Sequence, residues 1–298
     1  MAKIAFVFPG QGAQYVGMGR SFYDNFQSAK KVYKLCKDDN ILSVSGEGPK
    51  ELLNLTVNAQ PAIFLADLAA AVSLQECGVA ADGVAGFSLG EVPAAAFSGL
   101  LDHTTAFKFV CFRGEAMSRA AFQNKGAMMA VLGLNSVTVE DICAKIGAYP
   151  ANYNAPGQIV VSFSEKIAEA LKAEVKALKG KVIPLAVEGA FHSPLMNSAA
   201  EEVSEYLGKL HFNEPKIPIY SNVTAKLYTN PKELLTRQIN SPVLWRAMIQ
   251  QMITDGFDTF IETGPGKTLT GLIKKIDVTT RIFNVFDKES LESTLLAL

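Results

Sequence analysis

Ser88 stands between two glycines in Gly86-Phe87-Ser88-Leu89-Gly90, after the apolar run GVAGF (83–87) and before the small-residue segment EVPAAAFSG (91–99). The spacing G-x-S-x-G suits a serine on a sharp turn from strand to helix. Glycines are needed there because side chains at the flanking positions would collide with neighbouring elements. Such a turn lifts the hydroxyl above the C-terminal edge of a sheet, where open α/β sheets bind ligands. It also sets Ser88 at a helix N-terminus, with the backbone N–H of Leu89 aimed at any oxyanion formed on a substrate carbonyl. The plain alternative is a tight turn without chemistry, and the spacing alone leaves both open.

A serine hydroxyl is a poor nucleophile until a base takes its proton. The chain offers three histidines. His103 follows Leu101-Asp102 at an expected helix start and reads as a capping residue. His211 lies in a connector before Asn213-Glu214-Pro215. His192, in Gly189-Ala190-Phe191-His192-Ser193-Pro194, sits at a junction between elements, which makes it the best base by elimination. A lone histidine is more often structural, so His192 stays open on this ground alone. Pro9-Gly10-Gln11-Gly12 follows another apolar run, IAFVF (4–8). The third glycine of a dinucleotide fingerprint is replaced by Tyr15, so the loop reads instead either as a glycine-supported turn whose Gln11 N–H supplies a second oxyanion donor or as a plain turn ending the strand. Thr263-Gly264-Pro265-Gly266-Lys267-Thr268 fails as a phosphate loop: Ile261 stands at the first glycine position, and Pro265 removes a backbone donor.

These residues need elements to hold them. The chain has 298 residues, 49% of them hydrophobic and 19% charged, enough for a folded core without disulfides. A net charge of −1 gives no global field for nucleic acid or an anionic membrane. Cys36, Cys77, Cys111 and Cys143 show no C-x-x-C spacing, which speaks against zinc or a disulfide framework and for a reducing cytoplasm. MAKIAFVFPGQG has too short an apolar run for a signal peptide, and no uninterrupted apolar stretch approaches a membrane span. Strands are expected at 4–8, 83–87, 217–221, 258–262 and 281–285. Helices are expected at 60–77, 104–122 (carrying Arg113), 194–209, 243–255 and 268–276. Short apolar strands alternating with helices imply a parallel sheet covered on both faces. The middle differs: strand 127–134, helix 137–147, two strands about Asn154-Ala155-Pro156-Gly157, helix 165–180 and strand 181–187. That β-α-β-β-α-β order is ferredoxin-like.

As an ordered set, FPGQGAQYVGMG (8–19), GFSLGE (86–91), FRGEAM (112–117) and GAFHSPLM (189–196) resemble the malonyl-CoA:acyl carrier protein transacylases of fatty acid and polyketide synthesis. QINSPVLW (238–245) and ETGPGKTLTGLIKKI (262–276) add to the match. The resemblance implies Ser88 as the acylated nucleophile and His192 as its base, with the backbone carbonyl of Gln238 orienting the imidazole. It implies the N–H groups of Gln11 and Leu89 as the oxyanion hole, and Arg113 as the grip on the free carboxylate of the malonyl group. Phe191 matches the malonyl-selective form of its loop. Phe87 departs from the family, which commonly has His there, and so bears on substrate contact. Pro93 and Phe163 are further departures.

The fold expected is α/β: an α/β-hydrolase-like core with a parallel sheet over 1–123 and 191–298, interrupted by a ferredoxin-like subdomain at 124–190. The activity implied is malonyl transfer from malonyl-CoA to the phosphopantetheine thiol of acyl carrier protein for fatty acid synthesis, with no metal or other cofactor. Monomer is the default state, and Lys181, Lys274 and Lys275 are candidate contacts for the carrier protein. The alternatives are a malonyltransferase serving polyketide synthesis, a serine thioesterase or hydrolase, and a non-catalytic docking module.

Overall fold

In a computed structural model describing residues 2–298, nine strands form two sheets. They are β1 (Ile4–Phe8), β2 (Gly83–Gly86), β3 (Gly126–Leu132), β4 (Tyr149–Ala155), β5 (Gln158–Ser164), β6 (Lys181–Pro184), β7 (Ile219–Tyr220), β8 (Thr259–Thr263) and β9 (Arg281–Val285). The large sheet runs β7-β2-β1-β8-β9 and every pairing in it is parallel. The small sheet runs β4-β5-β3-β6 and is antiparallel throughout. The fold is thus α/β around a parallel sheet.

β1 is apolar along its length because it lies at the centre of the large sheet with helices on both faces. Phe8 pairs with Gly86, so β1 and β2 end level. The Phe87 N–H donates to the Phe8 carbonyl at 2.9 Å and carries the pairing one residue further. That register sets the Pro9–Gly12 loop beside the Ser88 turn.

The helix Thr56–Glu76 passes beneath this edge. It starts four residues before the expected 60 and runs through Pro61. Its first turn is held from outside, since Glu188 accepts from the Thr56 N–H at 2.6 Å. Among the described residues it is the one helix long and apolar enough to cross a membrane, yet 89% of its most apolar window is buried inside the protein.

Other boundaries shift for local reasons. β6 stops at Pro184, which has no N–H for the ladder. Two expected helices open with a short 3₁₀ turn, at Glu165–Ile167 and Pro194–Met196, before Ala168–Ala177 and Asn197–Leu207. His103 is not a cap: Asp102 caps the helix His103–Gln123 by accepting from the Thr105 N–H at 2.9 Å. Pro93 falls in the first turn of the helix Glu91–Phe97, and Phe163 is buried in β5.

The small sheet shows period-two alternation. Met129, Val131, Ile159, Val161 and Phe163 face the helices Ser136–Ile146 and Ala168–Ala177 and form a separate apolar cluster. The intervening Met128, Ala130 and Val160 face a cavity shared with the large sheet.

Candidate active site

Ser88 has φ 52, in the left-handed region. For a non-glycine residue this costs on the order of 1–2 kcal/mol and persists only when its surroundings impose it. The flanking glycines are required by close approach. A Cβ on Gly86 would overlap the Gly90 carbonyl and the Glu91 nitrogen, and one on Gly90 would overlap the Phe8 carbonyl oxygen. A 3₁₀ turn, Ser88–Gly90, leads into the helix Glu91–Phe97.

His192 lies in the loop before Pro194 and is also left-handed, with φ 56. Its Nε2 is 2.7 Å from Ser88 Oγ, and its Nδ1 is 2.8 Å from the Gln238 carbonyl oxygen. A carbonyl only accepts, so Nδ1 carries the proton and Nε2 presents a lone pair to the Ser88 hydroxyl. Burial pushes the imidazole pKa down to about 4, with the Arg113 charge adding to the depression and the Gln238 carbonyl opposing it. At neutral pH the ring is an uncharged base.

Arg113, on the helix His103–Gln123, is 1% exposed. Its Nη1 donates to Gln60 Oε1 at 2.7 Å, and its Nη2 donates to Gln238 Oε1 at 2.8 Å and approaches Ser88 Oγ at 3.4 Å. None of the ion pairs among the described residues involves it. Burial lowers its pKa to about 10, partly offset by Glu91, so it keeps its charge at neutral pH. Gln238 therefore ties the site together. Its carbonyl orients His192, its Oε1 accepts from Arg113, and its Nε2 donates to the Ser88 carbonyl.

The three side chains open on a cavity of about 220 Å³ between the two sheets. Gln11, Phe87, Leu89 and Phe191 also line it. Neither the Gln11 nor the Leu89 N–H finds an acceptor among the described residues, which leaves both free toward the cavity. The Phe87 ring packs edge-on against Trp245 at 5.4 Å. Phe191 is buried, and its carbonyl accepts from the Ser162 hydroxyl, tying this loop to β5. All eight expected site residues meet here. Of the three lysines, Lys275 reaches Gln158 at the cavity at 3.0 Å, and Lys181 and Lys274 are exposed.

Sequence reasoning missed Gln60, Asn222, Glu91 and Tyr228. Asn222 Oδ1 accepts from the Ser88 N–H at 2.7 Å, and Glu91 Oε1 accepts from the Asn222 N–H at 3.0 Å and from the Tyr228 hydroxyl at 2.6 Å. Burial raises the Glu91 carboxyl to about 7, against the hydrogen bonds from Tyr228 and Asn222 and the charge of Arg113. Gln60 carried a readable signal, since it is a polar residue in a helix buried nearly all round.

A serine bonded to a neutral imidazole, beside free backbone donors at a sheet edge, can attack a carbonyl carbon and hold the resulting acyl group; this is acyl-transfer chemistry. The chain belongs to the acyl transferase domain family, whose model matches residues 5–278. It is 38% identical over 311 residues to the malonyl CoA-acyl carrier protein transacylase of Bacillus subtilis, covering 100% of this chain and 98% of that protein. The crystal structure of malonyl CoA-acyl carrier protein transacylase from Clostridium perfringens matches with a TM-score of 0.95 at 39% identity, over 99% of this chain and 97% of that one. A malonyl-transacylase solved in complex with its holo type II PKS acyl-carrier protein matches at 32% identity, with a TM-score of 0.95 over the full length of both chains.

Proposed function

We propose that this chain transfers the malonyl group of malonyl-CoA to the phosphopantetheine thiol of an acyl carrier protein, through an ester on Ser88. The observation that carries the reading is Arg113: a buried, charged guanidinium without a carboxylate partner, 3.4 Å from the hydroxyl that His192 activates. A buried cation gains most from a substrate that brings its own carboxylate, through charge-assisted bonds of roughly 1.5–3 kcal/mol each. An acyl group lacking that carboxylate leaves Arg113 unpaired, so the same residue attracts malonyl and disfavours acetyl.

The cycle is ping-pong. Ser88 Oγ attacks the thioester carbonyl as its proton passes to His192 Nε2. The N–H groups of Gln11 and Leu89 receive the oxyanion. The C–S bond then breaks, and the proton on His192 goes to the departing coenzyme A thiolate. In the second half the carrier thiol gives its proton to His192 and attacks the ester; the Ser88 oxygen leaves and takes that proton back. The Phe191 ring crowds an α-methyl branch, a preference of ~1–3 kcal/mol for malonyl over methylmalonyl. Phe87, backed by Trp245, shapes the wall where the family commonly places His.

We read the core over 1–123 and 191–298 as α/β-hydrolase-like, a reading supported by the parallel sheet and the Ser88 turn at its edge. Residues 124–190 are the inserted ferredoxin-like unit, supported by the strand order β4-β5-β3-β6 with two helices on one face. In this reading the enzyme works as a monomer in the cytoplasm, without nucleic acid, membrane or cofactor; the small net charge supports the absence of a nucleic-acid or membrane partner, and the four unpaired cysteines support a reducing cytoplasm. Lys181, Lys274 and Lys275 are candidate contacts for the carrier. The carrier serves fatty acid synthesis in this reading, and the relative solved with a type II PKS carrier marks polyketide synthesis as the second.

Competition of malonyl-, methylmalonyl- and acetyl-CoA for wild type and Arg113→Ala tests the proposal. The substitution is expected to cut malonyl transfer by about 100-fold or more while acetyl transfer holds or rises. Unchanged selectivity would overturn the role of Arg113.

A further inference from the structure

Four non-glycine residues among those described have a positive φ: Ser88, Lys179, His192 and Ala225. The first and third are the reacting pair. Ala225 belongs to Ser221-Asn222-Val223-Thr224-Ala225, a loop with no role in the chemistry above. It is tightly closed, with the Ala225 N–H on the Ser221 carbonyl at 2.9 Å and the Ser221 N–H on the Lys226 carbonyl at 2.8 Å. Its product is the placement of one carboxamide.

Asn222 is fully buried. Its Nδ2 donates to the Gly86 carbonyl at 2.6 Å while its Oδ1 accepts from the Ser88 N–H at 2.7 Å. The orientation is unique, because a carbonyl only accepts and an N–H only donates. One planar group thus spans the backbone on either side of Phe87. Three consecutive peptide units set the torsions of Phe87 and Ser88, and each is held. The 86–87 unit is gripped by Asn222 at its carbonyl and by the Phe8 carbonyl at its N–H. The 87–88 unit is gripped by Asn222 at its N–H and by the Gly90 N–H at its carbonyl. The 88–89 unit is gripped by Gln238 at its carbonyl, and its other end is the free Leu89 N–H.

Asn222 is itself anchored. Its N–H donates to Glu91 Oε1, its carbonyl accepts from the Leu244 N–H at 2.9 Å, and Tyr228 donates to the same Glu91 oxygen. Glu91 opens the helix that follows the Ser88 turn, so the support closes back on the element it steadies.

We infer that Asn222, held by Glu91 and Tyr228, is a positioning residue for acylation: its carboxamide fixes the left-handed Ser88 backbone and with it the directions of the Ser88 hydroxyl and the Leu89 N–H. It does not line the cavity and does not touch substrate. Its loss therefore acts on the rate of the chemical step and spares binding. This inference rests on the malonyl-ester reading, and formation of that ester by wild-type protein tests that reading separately.

The experiment is single-turnover coenzyme A release across malonyl-CoA concentrations, with melting curves, for wild type, Asn222→Ala, Asn222→Asp and Tyr228→Phe. Asn222→Ala is expected to lower the saturating acylation rate by about 100-fold with half-saturation within about 2-fold of wild type. Asn222→Asp keeps the acceptor for Ser88 but sets an oxygen against the Gly86 carbonyl, and is expected to lose about 10-fold or more in the same quantity. Tyr228→Phe loosens Glu91 alone and is expected to lose about 3- to 10-fold. A folded Asn222 variant with a rate within about 3-fold of wild type, or with its loss confined to half-saturation, would overturn the inference. Should neither Asn222 variant fold, Tyr228→Phe decides: a slower saturating rate at unchanged half-saturation supports it, and an unchanged rate sinks it.

Discussion

The turns that follow β2 and β8 leave the same edge of the parallel sheet, on either side of β1, and both are built on glycines. After β2 the left-handed conformation falls on Ser88, whose hydroxyl meets an imidazole. After β8 it falls on Gly264 and Gly266, which carry no functional group. The helix starts differ in the same sense. The Leu89 N–H has no acceptor among the described residues. At the helix Thr268–Ile276, Glu262 fills the equivalent place by accepting from the N–H groups of Leu269 at 3.0 Å and Thr270 at 2.8 Å. Glycine spacing therefore does not separate a reactive turn from a structural one. The difference lies in whether a backbone donor of the first turn, here the Leu89 N–H, is left free or is occupied by the chain's own carboxylate.

Alanine at a supporting glycine of each turn should separate the two turns most strongly. Gly86→Ala forces backbone against backbone and is expected to cost at least about 3 kcal/mol and abolish ester formation, read by urea melts and coenzyme A release. Gly264→Ala meets the end of the Asp67 side chain and strains a left-handed position. It is expected to cost about 1–3 kcal/mol and leave the acylation rate of folded protein within about 3-fold. Equal losses of activity at the two turns would erase the distinction.

The pH profile reports the charge state of His192. A protonated imidazole cannot take the Ser88 proton, so titration of His192 lowers activity on the acid side. With His192 near 4, kcat/KM is expected to hold from pH 8 to about 5 and decline below, where an ordinary histidine would break near ~6.5. A substrate carboxylate on Arg113 removes a charge that depresses the ring, so kcat should break at a higher pH than kcat/KM. A kcat/KM break near 6.5 would contradict the burial argument.

The smallest effect belongs to the structural turn. Asp67 is buried, its oxygens lack hydrogen-bond partners among the described residues, and burial together with Glu262 raises its pKa well above the usual range. A carboxyl raised on folding stabilises least above its unfolded pKa of ~3.9, so its cost grows as pH rises. Asp67→Asn is expected to raise Tm by about 2–4 °C at pH 8 and by less at pH 5. A lower Tm at pH 8 would show that the carboxyl has a partner.

Much of this was legible in the sequence because it was local. β1 and β9 follow from short apolar runs, and Ser88 from glycines whose close approach the structure bears out. The convergence of Ser88, His192 and Arg113 came from the ordered motifs of a family, since nothing in their spacing brings 88, 113 and 192 together. Asn222 stayed hidden because its partners are backbone groups at 86 and 88, which leave no mark on side-chain pattern. The early start of the helix at Thr56 depends on Glu188, over a hundred residues away, and no local propensity encodes it.

The proposed cycle requires Arg113 to clamp an ionised acid end while Ser88 takes the acyl carbon. Intact-mass analysis after mixing the enzyme with malonyl-CoA and no carrier protein reads both roles at once. One malonyl group is expected per chain, mapped by peptide digestion to the segment holding Ser88, released by carrier thiol, absent in Ser88→Ala and strongly reduced in Arg113→Ala. Coenzyme A released continuously with no covalent adduct, or an adduct that persists in Ser88→Ala, would rule the proposed cycle out.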